Sequence, residues 1–162
     1  MQRLQEVEVL AGEAFRMVGM DAIADAEPPG SKDLCDYIDA GRCWVYTDEA
    51  DGPVGYILVD WIDGDAHIAQ VTVHPGFARR GIGGRLIEEV ASWAAGEGSA
   101  ALTLTTFRDV PWNRPYYERL GFVVVPEAAR PEGIRTLVRV EAAQGLSAWP
   151  RVVMERRLGE GH

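Results

Sequence analysis

The sequence lacks the features that mark membrane-spanning and exported chains. No window of its 162 residues approaches an uninterrupted apolar run of about 18, the length from which a membrane-spanning helix is read. The N-terminal stretch MQRLQEVEVLAGEAF has acidic residues among its apolar ones, whereas a signal peptide has an uninterrupted apolar core. These absences predict a cytoplasmic protein without a membrane partner.

Cysteine and histidine are scarce. The two cysteines, Cys35 and Cys43, are too few for a disulfide scaffold, and no metal-ligand spacing surrounds them. The three histidines do not form a metal constellation either. The sequence therefore predicts no bound metal and reduced cysteines.

Positive charge is in deficit. Lys and Arg total 16 against 25 for Asp and Glu, which gives a formal net charge of −9. A nucleic-acid-binding protein needs a basic face, so no nucleic-acid partner is expected, whereas a cationic acceptor fits. The length and the 47% hydrophobic content predict a single globular domain over residues 1–162.

Hydrophobic spacing and turn residues predict alternating helices and strands. Helices are predicted over 3–18, 31–40 with Ser31 as its cap, 82–95, 113–120 and 131–145. Strands are predicted over 43–47, 54–62, 66–73, 101–105, 122–125 and 151–158. The first three strands form an antiparallel meander by their turn chemistry. The fourth is parallel to the third because a helix connects them.

The most informative stretch is VTVHPGFARRGIGGRLIEE, from Val71 to Glu89. An apolar strand enters a turn rich in glycine and arginine, and the turn opens directly into an amphipathic helix. Backbone N–H groups without helical partners collect at such a helix N-terminus, where the dipole also favours negative charge. The arrangement predicts a phosphate or pyrophosphate site.

Two known phosphate cradles do not fit the turn. A P-loop needs Gly-Lys followed by Ser or Thr, and a dinucleotide fingerprint needs a G-x-G-x-x-G spacing, which Gly81, Gly83 and Gly84 do not have. The combination of Val-His-Pro, Arg-Arg-Gly-Ile-Gly and a helix resembles the coenzyme A loop of the GNAT superfamily of N-acetyltransferases. About 35 residues later, Asn113-Arg-Pro-Tyr-Tyr117-Glu-Arg-Leu-Gly-Phe122 resembles the second signature of that superfamily.

The resemblance implies an α/β (α+β) GNAT fold, a central mixed sheet flanked by helices on both faces, with acetyl-CoA as co-substrate. The strand before the turn is expected to splay from its parallel neighbour, so that pantetheine enters beside it. Ala78 departs from the family, which usually has Gln or Arg there. The implied cofactor-binding residues are Val71, Thr72 and Val73 beside the thioester, Arg79, Arg80, Gly81, Ile82, Gly83 and Gly84 in the turn, and Asn113 and Tyr116 on the later helix.

Acetyl transfer to an amine requires two proton movements. Tyr117 occupies the place where the family carries the tyrosine that protonates the departing thiolate, and Tyr116 is the reserve candidate for that acid. His67 falls where several members place a base that takes the ammonium proton. An ordinary strand-end histidine explains His67 equally well, whereas His74 belongs to the Val-His-Pro turn and is expected to be structural.

The family normally begins with a β-strand before the first helix, which this chain lacks or has only in short form. Either the given chain starts after that strand, or the sheet has one edge strand fewer. The expected acceptor is the primary amine of a small molecule, and a homodimer is a further expectation. The alternatives are a protein lysine or N-terminal acetyltransferase and a non-catalytic acyl-CoA-binding module.

The acceptor pocket is expected from the N-terminal helices and the loop 106–112. Candidate apolar walls are Phe15, Met17, Met20, Phe107 and Trp112, and candidate cation contacts are Asp21 and Asp109.

Overall fold

A computed structural model describes residues 2–159, with only the backbone of Ser147. Its α-helices are α1 (Gln2–Gly12), α2 (Asp21–Ala24), α3 (Ser31–Asp39), α4 (Ile82–Gly96), α5 (Arg114–Arg119) and α6 (Glu132–Ala143). Its strands are β1 (Cys43–Thr47), β2 (Pro53–Ile62), β3 (Asp65–Val73), β4 (Ala101–Phe107), β5 (Val123–Val124) and β6 (Arg151–Arg157). Short 3-10 turns connect several of them.

The strands form one mixed sheet in the order β1-β2-β3-β4-β6-β5. β1 pairs with β2 antiparallel, β3 with β4 parallel, and β6 antiparallel to both β4 and β5. The predicted parallel connection through α4 is therefore confirmed. The chain divides into two compact units: unit 1 runs up to Val59 and includes Gln70–Val90, and unit 2 contains Asp60–Ala69 and the chain from Ala91 onward.

Unit 1 buries both faces of its strands. Tyr56 and Leu58 on β2 pack with Leu4 of α1 and Leu34 of α3, whereas Gly55 faces Ile82 and Leu86 of α4. Neighbouring residues of a strand point to opposite faces of the sheet. Helices α1 and α3 therefore cover one face of unit 1, and α4 covers the other.

Unit 2 has its own core. Val125, Ile134 and Val153 form a buried cluster, against which Ile62 and Val138 pack. Asp63 fixes the start of α6, because its carboxylate accepts hydrogen bonds from the Gly133 and Ile134 amides at 2.9 and 3.1 Å. That contact satisfies two of the donors that a helix N-terminus leaves unpaired.

Some predicted boundaries are wrong. The first helix stops at Gly12, and a 3-10 turn (Glu13–Val18) replaces its last third. The predicted loop after it contains α2. Ser31 is the first residue of α3, and the cap position belongs to Gly30 without a side-chain cap. β4 extends to Phe107, which shortens the predicted 106–112 loop.

Candidate functional site

The glycine turn in unit 1 leaves a row of backbone amides without acceptors. Among the described residues, none accepts a hydrogen bond from the six amides Arg79–Gly84. The first helical-type bond after them is donated by Arg85 to the Gly81 carbonyl, at 3.0 Å. Free backbone donors at a helix N-terminus, together with the helix dipole, favour an anion.

The backbone of the turn is held in an uncommon conformation. Gly81 has φ of 75° and Arg79 has φ of 64°, and both values lie in the left-handed region. Glycine adopts that region without steric cost, whereas a non-glycine residue there is uncommon and is often found at functional sites. A Cβ at Gly81 would meet no atom within 4 Å, so the requirement for glycine at this position is conformational.

The three arginines in and after the turn differ in exposure and in their contacts. Arg79 and Arg80 are exposed, and the Arg80 guanidinium lies over the Phe77 ring at 4.9 Å. Arg85 donates a 3.0 Å hydrogen bond to the Tyr46 hydroxyl on β1. The turn thus carries two solvent-facing cations, and a third cation that is hydrogen-bonded to a side chain of the sheet.

His74 has the structural role expected of it. Its Nδ1 accepts a hydrogen bond from the Gly76 amide at 2.9 Å and so caps the 3-10 turn Pro75–Phe77. Its own amide donates to the Val54 carbonyl at 2.7 Å. These two bonds secure the path of the chain from β3 into the glycine turn.

The parallel ladder of unit 2 is short. It contains the pairs Ala66–Leu102 and His67–Thr103, although both strands continue beyond them. Ser99 closes the start of the ladder, because its hydroxyl accepts from the Ala66 amide at 3.0 Å and donates to the Ala101 carbonyl at 2.7 Å. The paired part of the two strands therefore ends at His67 and Thr103.

His67 lies at the end of this ladder and is sealed from solvent. Its side chain is only 3% exposed, and its Nδ1 is 2.7 Å from the Thr103 hydroxyl oxygen. Burial disfavours the charged imidazolium and lowers the pKa of His67 to about 4. The pKa of His67 thus lies well below the value of about 6.5 of a free imidazole.

Helix α5 of unit 2 positions Asn113 and Tyr117. Asn113 occupies the N-cap position, and its carbonyl accepts from the Tyr117 amide at 3.0 Å. The Tyr117 ring packs edge-on against Tyr116 and Phe122, with centroids 5.3 and 5.9 Å away. Its hydroxyl makes no hydrogen bond to a described residue, and burial raises the pKa of Tyr117. The phenol therefore stays protonated well above neutral pH.

The residues expected to line an acceptor pocket differ in their exposure to solvent. Met20 and Phe107 are buried, and the Arg151 guanidinium lies 4.7 Å over the Phe107 ring. Met17 is 86% exposed. Asp109 is paired with Arg108 at 3.0 Å. Phe107 and Met20 are thus core residues.

The described residues contain no group of three or more His, Cys, Asp or Glu that could hold a metal ion. Within the same part of the chain, no helix is long and apolar enough to cross a membrane.

A comparison with protein-family models matches residues 7–122 to the acetyltransferase (GNAT) family. The chain belongs to the GNAT family. It is thus an acyltransferase of the acetyl-CoA-dependent N-acetyltransferase class, as the two sequence motifs implied.

Solved structures share this fold at low sequence identity. A GNAT-family acetyltransferase from Staphylococcus aureus Mu50 is 16% identical with a TM-score of 0.72, over 98% of this chain and 92% of that one. N-acetylglutamate synthase from Neisseria gonorrhoeae, complexed with coenzyme A and N-acetyl-glutamate, is 19% identical with a TM-score of 0.69, over 96% of this chain and about a third (32%) of that one. An aminoglycoside 6'-N-acetyltransferase complexed with coenzyme A is 16% identical with a TM-score of 0.62, over 99% and 92%.

The sequence motifs do not predict two residues of this acetyltransferase that the structure places near the candidate site. Gly55 on β2 lets the first turn of α4 approach the sheet, since a Cβ there would lie 3.2 Å from Ile82. Glu8 on α1 accepts a 2.6 Å hydrogen bond from the Thr72 hydroxyl on β3. Neither belongs to a motif, and both depend on contacts between segments distant in sequence, so no local signal could have identified them.

Proposed function

We propose that this acetyltransferase transfers the acetyl group of acetyl-CoA to the primary amine of a small-molecule acceptor, by direct attack in a ternary complex. The observation that carries the proposal is the row of six backbone amides, Arg79–Gly84, that donate no hydrogen bond at the start of α4. The exposed side chains of Arg79 and Arg80 add positive charge there. A row of this kind binds a pyrophosphate through backbone donors and the helix dipole.

The β3 backbone is proposed to hold the reacting carbonyl. Val71, Thr72 and Val73 form the last part of β3, immediately before the turn. A backbone N–H directed at the acetyl oxygen would stabilise the negative charge that develops there during attack. Because this contact uses the main chain, it is compatible with the half-buried side chains of Val71 and Val73.

Tyr117 is proposed as the acid that protonates the departing thiolate. Its hydroxyl has no protein partner among the described residues, and it carries its proton at working pH because burial raises its pKa. Asn113 and Tyr116 are proposed to contact the cofactor from the same helix. The burial of His67 argues against it as the group that takes the ammonium proton, because a sealed imidazole with a pKa near 4 is a weak base.

The acceptor is proposed to be small and cationic. The net charge of −9 favours the approach of a cation, and aminoglycosides, after which one structural neighbour is named, are cations. The N-acetyl-glutamate of another neighbour supports only the small size of the acceptor. The cytoplasm as location and a homodimeric state remain predictions from the sequence.

An acceptor panel tests the proposal. Purified protein is incubated with acetyl-CoA and, in turn, L-glutamate, an aminoglycoside, a lysine-containing peptide and a peptide with a free N-terminus. Free thiol is detected, and the product is identified by mass spectrometry. Acetylation of a small amine supports the proposal, and acetylation of the peptides alone makes it a protein acetyltransferase. Binding of acetyl-CoA without turnover on any amine would identify a non-catalytic module.

A further inference from the structure

We infer that Glu8 of α1 is the base that receives the proton of the acceptor ammonium. The inference rests on the proposed function and completes it, because the burial of His67 leaves the proton without a well-placed acceptor. The three residues whose contacts place the carboxylate, Glu8, Tyr56 and Thr72, lie in unit 1.

The Glu8 carboxylate is anchored through one oxygen and open at the other. The Thr72 hydroxyl donates to Oε2 at 2.6 Å, and the Tyr56 hydroxyl donates to the same oxygen at 3.2 Å. Among the described residues, none donates a hydrogen bond to Oε1, and Oε1 is not a buried atom without a partner. The second oxygen therefore faces solvent in a half-buried side chain, ready to accept from a ligand.

The donors hold the carboxylate in one orientation. Tyr56 is fully buried, and burial together with the nearby Glu8 charge raises the pKa of its phenol, so it remains a donor at working pH. The Gln70 amide donates to the Thr72 oxygen at 3.4 Å, which leaves the Thr72 proton to Glu8. A carboxylate that accepts two hydrogen bonds at one oxygen is held in a fixed orientation, with the other oxygen placed to accept from a ligand.

The position of Thr72 connects this carboxylate with the proposed reaction. Thr72 lies between Val71 and Val73, whose backbone is proposed to face the acetyl carbonyl. A group bonded to the Thr72 side chain is thus one residue from that backbone. Arg3 and Glu6 of the same helix form a charged pair 3.7 Å apart that is 41% and 52% exposed. At about 100° per residue, both lie roughly 140–160° from Glu8 around the helix axis. Burial raises the pKa of the neighbouring Cys43 thiol, so it adds no negative charge.

Glu8 acts at the first proton transfer of the proposed reaction. One proton passes from the acceptor ammonium to Oε1 of Glu8, and the freed lone pair of the amine forms a bond to the acetyl carbon. The carbon–sulfur bond of the thioester breaks, and the thiolate takes the proton of the Tyr117 hydroxyl. The nitrogen of the new amide still carries one surplus proton, which passes through water and restores the proton of Tyr117, and Glu8 releases its own proton to solvent. The products are the amide, the free thiol of CoA and one proton, and no oxidant or further reactant is required.

Glu8→Gln tests the inference, with the amine of the panel that gives the highest rate. Glutamine keeps the length and still accepts from Thr72, but it takes no proton. We expect kcat/KM at pH 7 to fall about 10²-fold, with unchanged acetyl-CoA affinity in calorimetry. The defect should shrink as the pH rises past the pKa of the acceptor amine, because a neutral amine needs no base. Glu6→Gln on the same helix is the control and should keep the wild-type profile.

Two outcomes overturn the inference. One is a Glu8→Gln protein with wild-type activity, and the other is a defect that is equal at every pH, which indicates a structural role. If Glu8→Gln does not fold, Thr72→Val decides: it retains the carboxylate without its shorter hydrogen bond and should lose roughly threefold to tenfold in kcat/KM, mainly at low pH. A wild-type protein that binds no acetyl-CoA overturns the proposed function itself and is recognised by calorimetry before any variant is made.

Discussion

Gly55 on β2 lies against Ile82, the first residue of α4, so closely that a methyl group at Gly55 would come within 3.2 Å of the Ile82 side chain. The same methyl group would lie 3.2 Å from the Thr72 carbonyl and 3.5 Å from Leu86. Because the first turn of α4 carries the free amides, this contact sets the position of the proposed pyrophosphate cradle.

Gly55→Ala should therefore affect both stability and cofactor affinity. Overpacking of this kind costs about 1–3 kcal/mol, and we expect a lower free energy of unfolding in urea together with weaker acetyl-CoA binding in calorimetry. Gly96→Ala, at the far end of α4 where a Cβ meets no atom within 4 Å, is the matched control. Equal affinity in the two variants would show that the cradle does not depend on this approach.

Gly83→Glu should abolish acetyl-CoA binding. The added carboxylate would stand among the amides of the first turn of α4 and compete with the pyrophosphate for them, with repulsion between the two anions. Gly96→Glu places the same side chain at the exposed C-terminal end of the same helix and should bind acetyl-CoA as the wild type does. Unchanged binding by Gly83→Glu would remove the pyrophosphate from this turn.

Tyr117→Phe should lower kcat by about 10²-fold, the scale for loss of a general acid, while acetyl-CoA affinity changes little. The raised pKa of Tyr117 keeps the phenol protonated, so the wild type should show no alkaline loss of rate from this group below about pH 10. Tyr116→Phe is measured in parallel and should retain kcat, with any effect limited to the affinity for acetyl-CoA. If Tyr116→Phe is inactive and Tyr117→Phe is not, the acid has been assigned to the wrong neighbour.

The lowered pKa of His67 should make the free energy of unfolding depend on pH. Between about pH 6.5 and 4, His67 is protonated in the unfolded chain but neutral in the folded protein. The free energy of unfolding should therefore fall as the pH falls through this window. A shift of this size corresponds to roughly 3 kcal/mol. His67→Gln should remove that part of the pH dependence, and NMR titration of the ring gives its pKa directly.

The pH profile of acetyl transfer distinguishes a mechanism in which His67 is the base from one in which it takes no proton. If His67 takes no proton during acetyl transfer, His67→Gln should retain the wild-type shape of the kcat/KM profile, and the wild type should show no acidic limb near pH 6.5. A limb near that pH which disappears in His67→Gln would restore His67 as the base, in contradiction to its burial.

The local parts of this protein were predictable from its sequence. The strand, glycine turn and α4 follow one another within Val71–Glu89, and the signals for them are spacing, left-handed glycine and helix N-terminal geometry, which act over a few residues. The strands β1, β2 and β3 agree with prediction to within one residue at each end for the same reason. α5 and its two tyrosines were likewise readable from the motif that ends at Phe122.

The tertiary structure decided the properties that depend on neighbours distant in the chain. Glu8 and Thr72 are 64 residues apart in sequence, and only packing of α1 on β3 joins them. The sequence placed His67 on a strand, but its burial against Thr103 on β4 set its pKa, because desolvation depends on everything that surrounds a group. Periodicity shows which residues form an element, whereas proton affinity and close approach are set by the elements that pack against it.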